Sequence, residues 1–189
     1  RVDLWGSSQS APSGRAAALP GGAVAGIGAV AERRLDSMLD KTRSHGLPPF
    51  LAREAGVDSG LMIGHYTAAA MASENKRLAA PASVDSLPTS GMQEDHVSMA
   101  WLAVRKLRKV VDNVRRILAV EYVCAARAIE FRAPLTPSPA TGALLALLRT
   151  DVDGAGPDRY LAPELAAAEA ILGSSAMADA LDAIGISLE

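Results

Sequence analysis

The sequence predicts an all-α protein whose long helices form part of a bundle shared between several subunits. Three observations carry that expectation. Apolar residues make up 49% of the 189-residue chain but aromatics only 4%. The core must then be built from Ala, Leu, Val and Ile, a composition that favours closely packed helices over sheet. Next, apolar side chains recur every three or four residues along one segment, through Val97, Trp101, Val104, Leu107, Val111, Val114, Leu118, Tyr122, Ala125 and Ile129. That spacing keeps one stripe on one side of a helix. Finally, nothing reads as an alternating, half-buried strand, and no internal repeat is present.

Taken in order, residues 1–22 are rich in Gly, Ser and Pro without a period and are expected to be loop, with a short helical turn at Ala16–Leu19. From Ala23 the sequence "AVAGIGAVAERRLDSMLDKT" predicts a helix that begins apolar all round. It then becomes amphipathic, with Leu35, Met38 and Leu39 opposite Arg33, Arg34 and Asp36. Gly46 and the Pro48–Pro49 pair stop it. A second helix follows in "VDSGLMIGHYTAAAMASENKRLAA", with Asp58 or Ser59 as its expected N-cap.

The connector "PASVDSLPTSG" leads to the striped helix, which is the dominant element. About 35 residues at 1.5 Å each span on the order of 50 Å, longer than a compact domain of this size is wide. Such helices belong to bundles, often ones that subunits share. A short helix is expected near Pro139–Arg149, followed by loop and one or two short helices. The organisation expected is therefore residues 1–22 as a loop segment, 23–132 as the long-helix region and 133–189 as a short-helix region.

Composition narrows the function. A net charge of −2 gives no electrostatic case for nucleic acid or an anionic membrane. The basic cluster "VRKLRKVVDNVRR" alternates with apolar positions and reads as a solvated helix face. No run approaches a membrane span, and there is no secretory signal pattern. The single cysteine, Cys124, precludes an internal disulfide and suits a reducing cytoplasm. The chain opens on Arg1 rather than Met, as expected of a processed product or one part of a longer polypeptide. His45, His65 and His96 lack metal-ligand spacing, so no metal site is expected. Neither a phosphate-binding glycine loop nor a GxSxG elbow is present.

The remaining chemical candidate is "QEDH", Gln93 to His96, placed where the long helix is expected to begin. Two readings stay open on the residues alone. Acidic side chains in a first helical turn complement the positive end of the macrodipole and need no other reason. A carboxylate beside a histidine, approached through a stiff Pro-marked segment, also makes a polar site with adjustable proton affinity.

Several motifs carry more. "GLPPFL" (Gly46–Leu51), "SGLMIGHYTAAAMASENK" (Ser59–Lys76), "PASVDSLPTSGMQEDHVSM" (Pro81–Met99) and "DRYLAPEL" (Asp158–Leu165) occur in this order, after "AVAERR". Together they resemble the C-terminal part of the aromatic amino acid lyase family, in its histidine ammonia-lyase branch. The resemblance covers about Gly21 to Ala183. It implies an all-α fold with a central bundle of helices from four subunits. It also implies elimination of ammonia from an amino acid, histidine to urocanate first among the candidates. The implied cofactor is methylidene-imidazolone, an electrophile that the family forms from an Ala-Ser-Gly triplet, and a tyrosine base from another loop takes the β-proton.

Residue by residue, Glu94 matches the family's active-site glutamate, with Gln93 as its supporting neighbour. Met62 matches a substrate-pocket position that is Met in histidine-acting members and Lys in plant phenylalanine-acting ones. Ser90 falls where those plant enzymes place a carboxylate. The implied role of Glu94 is to accept a charge-assisted hydrogen bond from the substrate's ammonium or imidazole N–H.

The sequence departs from the family at two places. It contains no Ala-Ser-Gly triplet; "PSG" and "TSG" are the nearest. The electrophile, the tyrosine base and the carboxylate-binding arginine are therefore expected from an N-terminal partner chain or region, and this chain is expected to be inactive alone. In addition, the family's "GNFHGxP" loop falls on "GSSQSAP", so Ser7, Ser8 and Gln9 form a degenerate active-site loop. His65 also stands where many relatives carry Gln. The alternatives are a non-catalytic assembly subunit of a lyase complex and an aminomutase or lyase acting on an unusual amino acid in a secondary pathway.

Overall fold

A computed structural model describes residues 11–187, with side chains from residue 16 onward. The protein is all-α. Six α-helices run in chain order: α1 (Ala11–Leu39), α2 (Met62–Leu78), α3 (Ala100–Glu130), α4 (Pro139–Leu148), α5 (Ala162–Leu172) and α6 (Ala176–Asp182). Short 3-10 turns lie at Pro49–Leu51, Ala82–Val84 and Ser90–Met92. No strand occurs among the described residues, and none of their helices is long and apolar enough to cross a membrane. Two compact units result, one joining residues up to Ala29 with Met71–Val114, the other joining Val30–Ala70 with Arg115 onward. The three long helices each contribute one end to each unit.

Helix α1 begins at Ala11, within the stretch expected to be loop as far as residue 22. Pro20 lies inside it. A proline removes one backbone donor but leaves the rest of the ladder, and a long helix carries such a defect cooperatively. The strong helix formers Ala16–Leu19 and Ala23–Ala25 flank the weak point on both sides.

In the first unit the core is made of alanines. Ala17, Ala82 and Ala103 are buried together, with Met99 and Leu107 packed against them. Small side chains let helix backbones approach closely, as the low aromatic content demanded. Two buried amides sit in the same unit: Asn113 Nδ2 donates to Asn75 Oδ1 at 2.9 Å and to Glu74 Oε2 at 2.7 Å.

In the second unit Leu35, Leu51, Leu61, Ile117, Cys124, Leu148 and Val152 are fully buried. A Cβ on Gly64 would stand 3.4 Å from Val120 Cγ1, an ordinary contact, so α2 and α3 approach closely here. Arg34 grips Glu121 with two bonds, Nε to Oε1 at 2.5 Å and Nη2 to Oε2 at 2.9 Å. Burial pushes the Cys124 thiol far above its ordinary range, so it behaves as a small core residue rather than a nucleophile.

The long helix forms, but its buried face is offset from the stripe that predicted it, of which only Val114 is buried. Trp101 is 74% exposed, and Val104 and Val111 are 37% exposed. The buried positions are Ala100, Ala103, Val110, Val114, Ile117, Val120 and Cys124. This second stripe is offset from the first by about one residue, or roughly 100° around the helix. Ala100 and Ala103 are buried toward the start of the helix and Val110, Ile117 and Val120 further along, while Trp101, Val104 and Val111 remain outside.

Candidate functional site

The segment that carries Glu94 is a tight turn in the first unit. Thr89 and Glu94 pair across it in an antiparallel bridge, with Thr89 N–H donating to Glu94 O at 3.0 Å and Glu94 N–H to Thr89 O at 3.3 Å. Between them Ser90, Gly91 and Met92 all hold left-handed backbone, at φ 55°, 61° and 72°. Left-handed φ costs a non-glycine residue roughly 1–2 kcal/mol, so two of these three positions are strained. Strain of this kind persists where surrounding structure over-determines it. Here the bridge does so, together with a bond from Val97 N–H to Ser86 Oγ at 3.1 Å.

Glu94 does not sit in the first turn of α3. That helix begins at Ala100 and has no acidic residue in its first turn. Ser98 Oγ, not a carboxylate, accepts from Ala100 N–H at 3.2 Å. The dipole-capping reading of "QEDH" is therefore corrected: the Thr89–Glu94 bridge closes a turn on these residues, and the helix starts only at Ala100. Glu94 is half-buried, Gln93 and Ser90 are exposed, and the Glu94 carboxylate has no side-chain hydrogen bond among the described residues. Ser7, Ser8 and Gln9 lie outside the described residues.

Met62 belongs to the second unit, at the first position of α2. It lines a cleft of about 660 Å³. Leu39, Pro49, Phe50 and Met62 give this cleft an apolar wall, and Asp36, Asp40, Lys41 and Arg43 give it a charged one. His65 and Tyr66, one turn along α2 from Met62, and Ala69 complete the lining.

The polar wall is largely self-neutralised. Arg43 bonds Asp36 through Nη2 and Asp40 through Nε, both at 2.7 Å. Asp40 also accepts from Thr42 Oγ1 at 2.7 Å and Thr42 N–H at 2.8 Å, which with Arg43 hold its carboxyl down to about 2. His65 Nε2 lies 2.9 Å from Oε1 of buried Glu32. Arg33 bonds the same carboxylate, and these two partners keep Glu32 below the ordinary range against the opposing effect of burial. Such a cleft suits a small ligand with one apolar and one polar end.

The start of α2 is held in an unexpected way. The sequence predicts Asp58 or Ser59 as the N-cap. Instead, the carboxylate of Asp158 accepts from Ser59 N–H at 2.7 Å and Gly60 N–H at 2.8 Å. Asp58 Oδ1 accepts in return from Asp158 N–H at 3.2 Å. Glu32, Asp36, Phe50 and Asp158 are the residues that sequence reasoning did not single out. The signals were the "ERR", "GLPPFL" and "DRYLAPEL" motifs that contain Glu32, Phe50 and Asp158.

A sequence profile described as aromatic amino acid lyase matches residues 6–150. The histidine ammonia-lyase of Streptomyces avermitilis is 54% identical over 185 residues, 97% of this chain and 36% of the relative. The chain thus spans about a third of the length of the curated relatives it matches. Among solved structures, histidine ammonia-lyase from Trypanosoma cruzi superposes with a TM-score of 0.86 at 36% identity, over 90% of this chain and 33% of that one. Tyrosine aminomutase from Streptomyces globisporus superposes at 0.89 and 32% identity, over 96% and 34%. With the profile matching most of its length and such likeness in sequence and fold, the chain belongs to the aromatic amino acid lyase family.

Proposed function

We propose that this chain is the C-terminal part of a histidine ammonia-lyase-like enzyme that converts histidine to urocanate in the cytoplasm. The observation that carries the reading is the likeness to histidine ammonia-lyases over 97% of the chain. Glu94 and Met62 are the residue types expected of histidine-acting members. In this reading Met62 and the apolar wall of its cleft receive the substrate side chain. Glu94 accepts a hydrogen bond from an ammonium or imidazole N–H, a charge-assisted contact of the stronger kind. Gln93 supports Glu94, and Ser90 stands where the plant phenylalanine-acting enzymes place a carboxylate.

The methylidene-imidazolone group does not fit the residues present, because no Ala-Ser-Gly triplet occurs in the sequence. The electrophile is accordingly assigned to an N-terminal region or partner chain, and this chain alone is inactive. The exposed Trp101, Val104 and Val111 stripe of α3 is assigned to helix packing between subunits of a tetramer.

A second reading is an aminomutase, favoured by the likeness to the Streptomyces globisporus enzyme over 96% of the chain. One experiment separates them. The chain is joined to an N-terminal region bearing Ala-Ser-Gly, supplied with histidine, and followed for urocanate by ultraviolet absorbance and for β-amino acid by chromatography. Urocanate formation that Glu94→Ala abolishes while the oligomer stays intact supports the lyase. A β-amino acid product supports the mutase, and undiminished urocanate formation by Glu94→Ala overturns the role given to that carboxylate.

A further inference from the structure

We infer that Asp158 is a positioning residue for the Met62 cleft: from the loop before α5 it holds the Ser59–Gly60 turn that leads into α2 and, through that turn, the Met62–Phe50 end of the cleft wall. The inference rests on the reading that Met62 contacts substrate. It concerns a residue of "DRYLAPEL" that touches neither the cleft lining nor Glu94.

Geometry leads there in three steps. First, the two Asp158 oxygens take the N–H groups of Ser59 and Gly60 separately, at 2.7 and 2.8 Å. Both amides belong to the turn just before α2, and a carboxylate that accepts from two backbone N–H groups makes charge-assisted bonds. Those bonds hold the Asp158 carboxyl below its ordinary range, leaving it ionised at neutral pH.

Second, Gly60 is wedged against the opposite wall. A Cβ there would lie 2.5 Å from Phe50 O, and the next amide, Leu61 N–H, donates to that same oxygen at 2.9 Å. Displacement of Ser59–Gly60 therefore moves Phe50 and Met62 together, and both line the cleft. His65 is tied separately to Glu32, so the loss of Asp158 frees the start of α2 and leaves its next turn held.

Third, the loop that presents Asp158 is itself anchored. Arg159 Nη2 donates to Asp153 O and Gly154 O, both at 3.0 Å, and the guanidinium also pairs with Glu164 of α5. Ala155 N–H donates to Oε2 of Glu130, the last residue of α3, at 3.0 Å, while Arg149 bonds the other oxygen at 2.5 Å. The carboxylate is thus delivered from a fixed point rather than from a loose loop.

The test uses the full enzyme, with Asp158→Ala, Asp158→Asn, Met62→Ala and the double variant Asp158→Ala/Met62→Ala. Loss of both bonds is expected to raise KM for histidine about tenfold with kcat within about twofold. Asp158→Asn keeps one acceptor oxygen and is expected to raise KM about threefold. On a Met62→Ala background, Asp158→Ala is expected to change KM by less than about twofold, since residues acting through one contact are not additive. An unchanged KM overturns the inference, and so do effects that multiply in the double variant. A merely structural role also overturns it: that would lower thermal stability and active fraction and leave KM alone. If the wild-type enzyme turns over no histidine, the proposed function fails and amide exchange decides the positioning. Exchange at Ser59, Gly60 and Met62 that is about tenfold faster in Asp158→Ala, with the rest of α2 unchanged, upholds it. Unchanged exchange overturns it.

Discussion

Replacing Gly60 by alanine tests the geometry of the cleft wall more sharply than any change of a side chain that lines it. Two costs add. The residue holds φ at +59°, where a side chain costs roughly 1–2 kcal/mol. The new Cβ would also stand 2.5 Å from Phe50 O and 3.0 Å from Ala52 N and Cα. All three are backbone atoms, so no flexible side chain can swing away. Relief requires moving a turn whose neighbours Leu51, Ala52 and Leu61 are almost fully buried. That motion stretches the 2.9 Å bond from Leu61 N–H to Phe50 O. Overpacking costs typically 1–3 kcal/mol, so the total is roughly 2–5 kcal/mol, a large part of an ordinary domain's stability.

Gly56 supplies the control: its φ is +102°, but an added Cβ meets nothing within 4 Å. Gly56→Ala is therefore expected to cost only the conformational part, about 1–2 kcal/mol. Urea unfolding followed by circular dichroism measures both variants at equal slope. Equal destabilisation by the two substitutions would refute the claim that backbone contact at Gly60 sets the position of α2.

Two other outcomes are expected. Glu32→Gln should destabilise by about 1–3 kcal/mol near neutral pH, because it weakens a buried carboxylate's bonds to Arg33 and His65. A depressed carboxyl stabilises the fold fully above its ordinary value of 4.5, and that stabilisation is lost as pH falls through the lower folded value. The gap between wild type and Glu32→Gln in urea midpoint should therefore shrink below about pH 4.5; a gap independent of pH contradicts the assignment. Trp101→Glu should shift the assembly toward smaller species in sedimentation while helix content stays constant, because Trp101 is 74% exposed in the single chain. Unchanged sedimentation would remove that stripe from the subunit interface.

The helices were legible because their signals are local. Periodicity marks α3, Ser138 and Pro139 mark the start of α4, and the alanine-rich composition announces a core of small side chains. The motif around Glu94 and the methionine of α2 were legible as a family pattern. The reach of α1 back to Ala11 was hidden because Pro20, Gly21 and Gly22 read as breakers one by one, while a long helix tolerates them collectively. The turn at Ser90–Met92 was hidden for a different reason. Serine and methionine do not advertise left-handed backbone, and it is the Thr89–Glu94 bridge that imposes it.

Taken by itself, the order of residues determined that the chain is helical, where its long helices run and which family motif it carries, since these depend on neighbours a few positions apart. Only the tertiary structure decided which of two adjacent apolar stripes on α3 is buried. Both stripes satisfy the same period, and the one that includes Ala103, Val110, Ile117 and Cys124 is the one the rest of the chain covers. The same holds for the start of α2, which is held by a carboxylate about one hundred positions away. No local rule relates Asp158 to Gly60; only the folded path of the chain brings an acceptor to those two N–H groups.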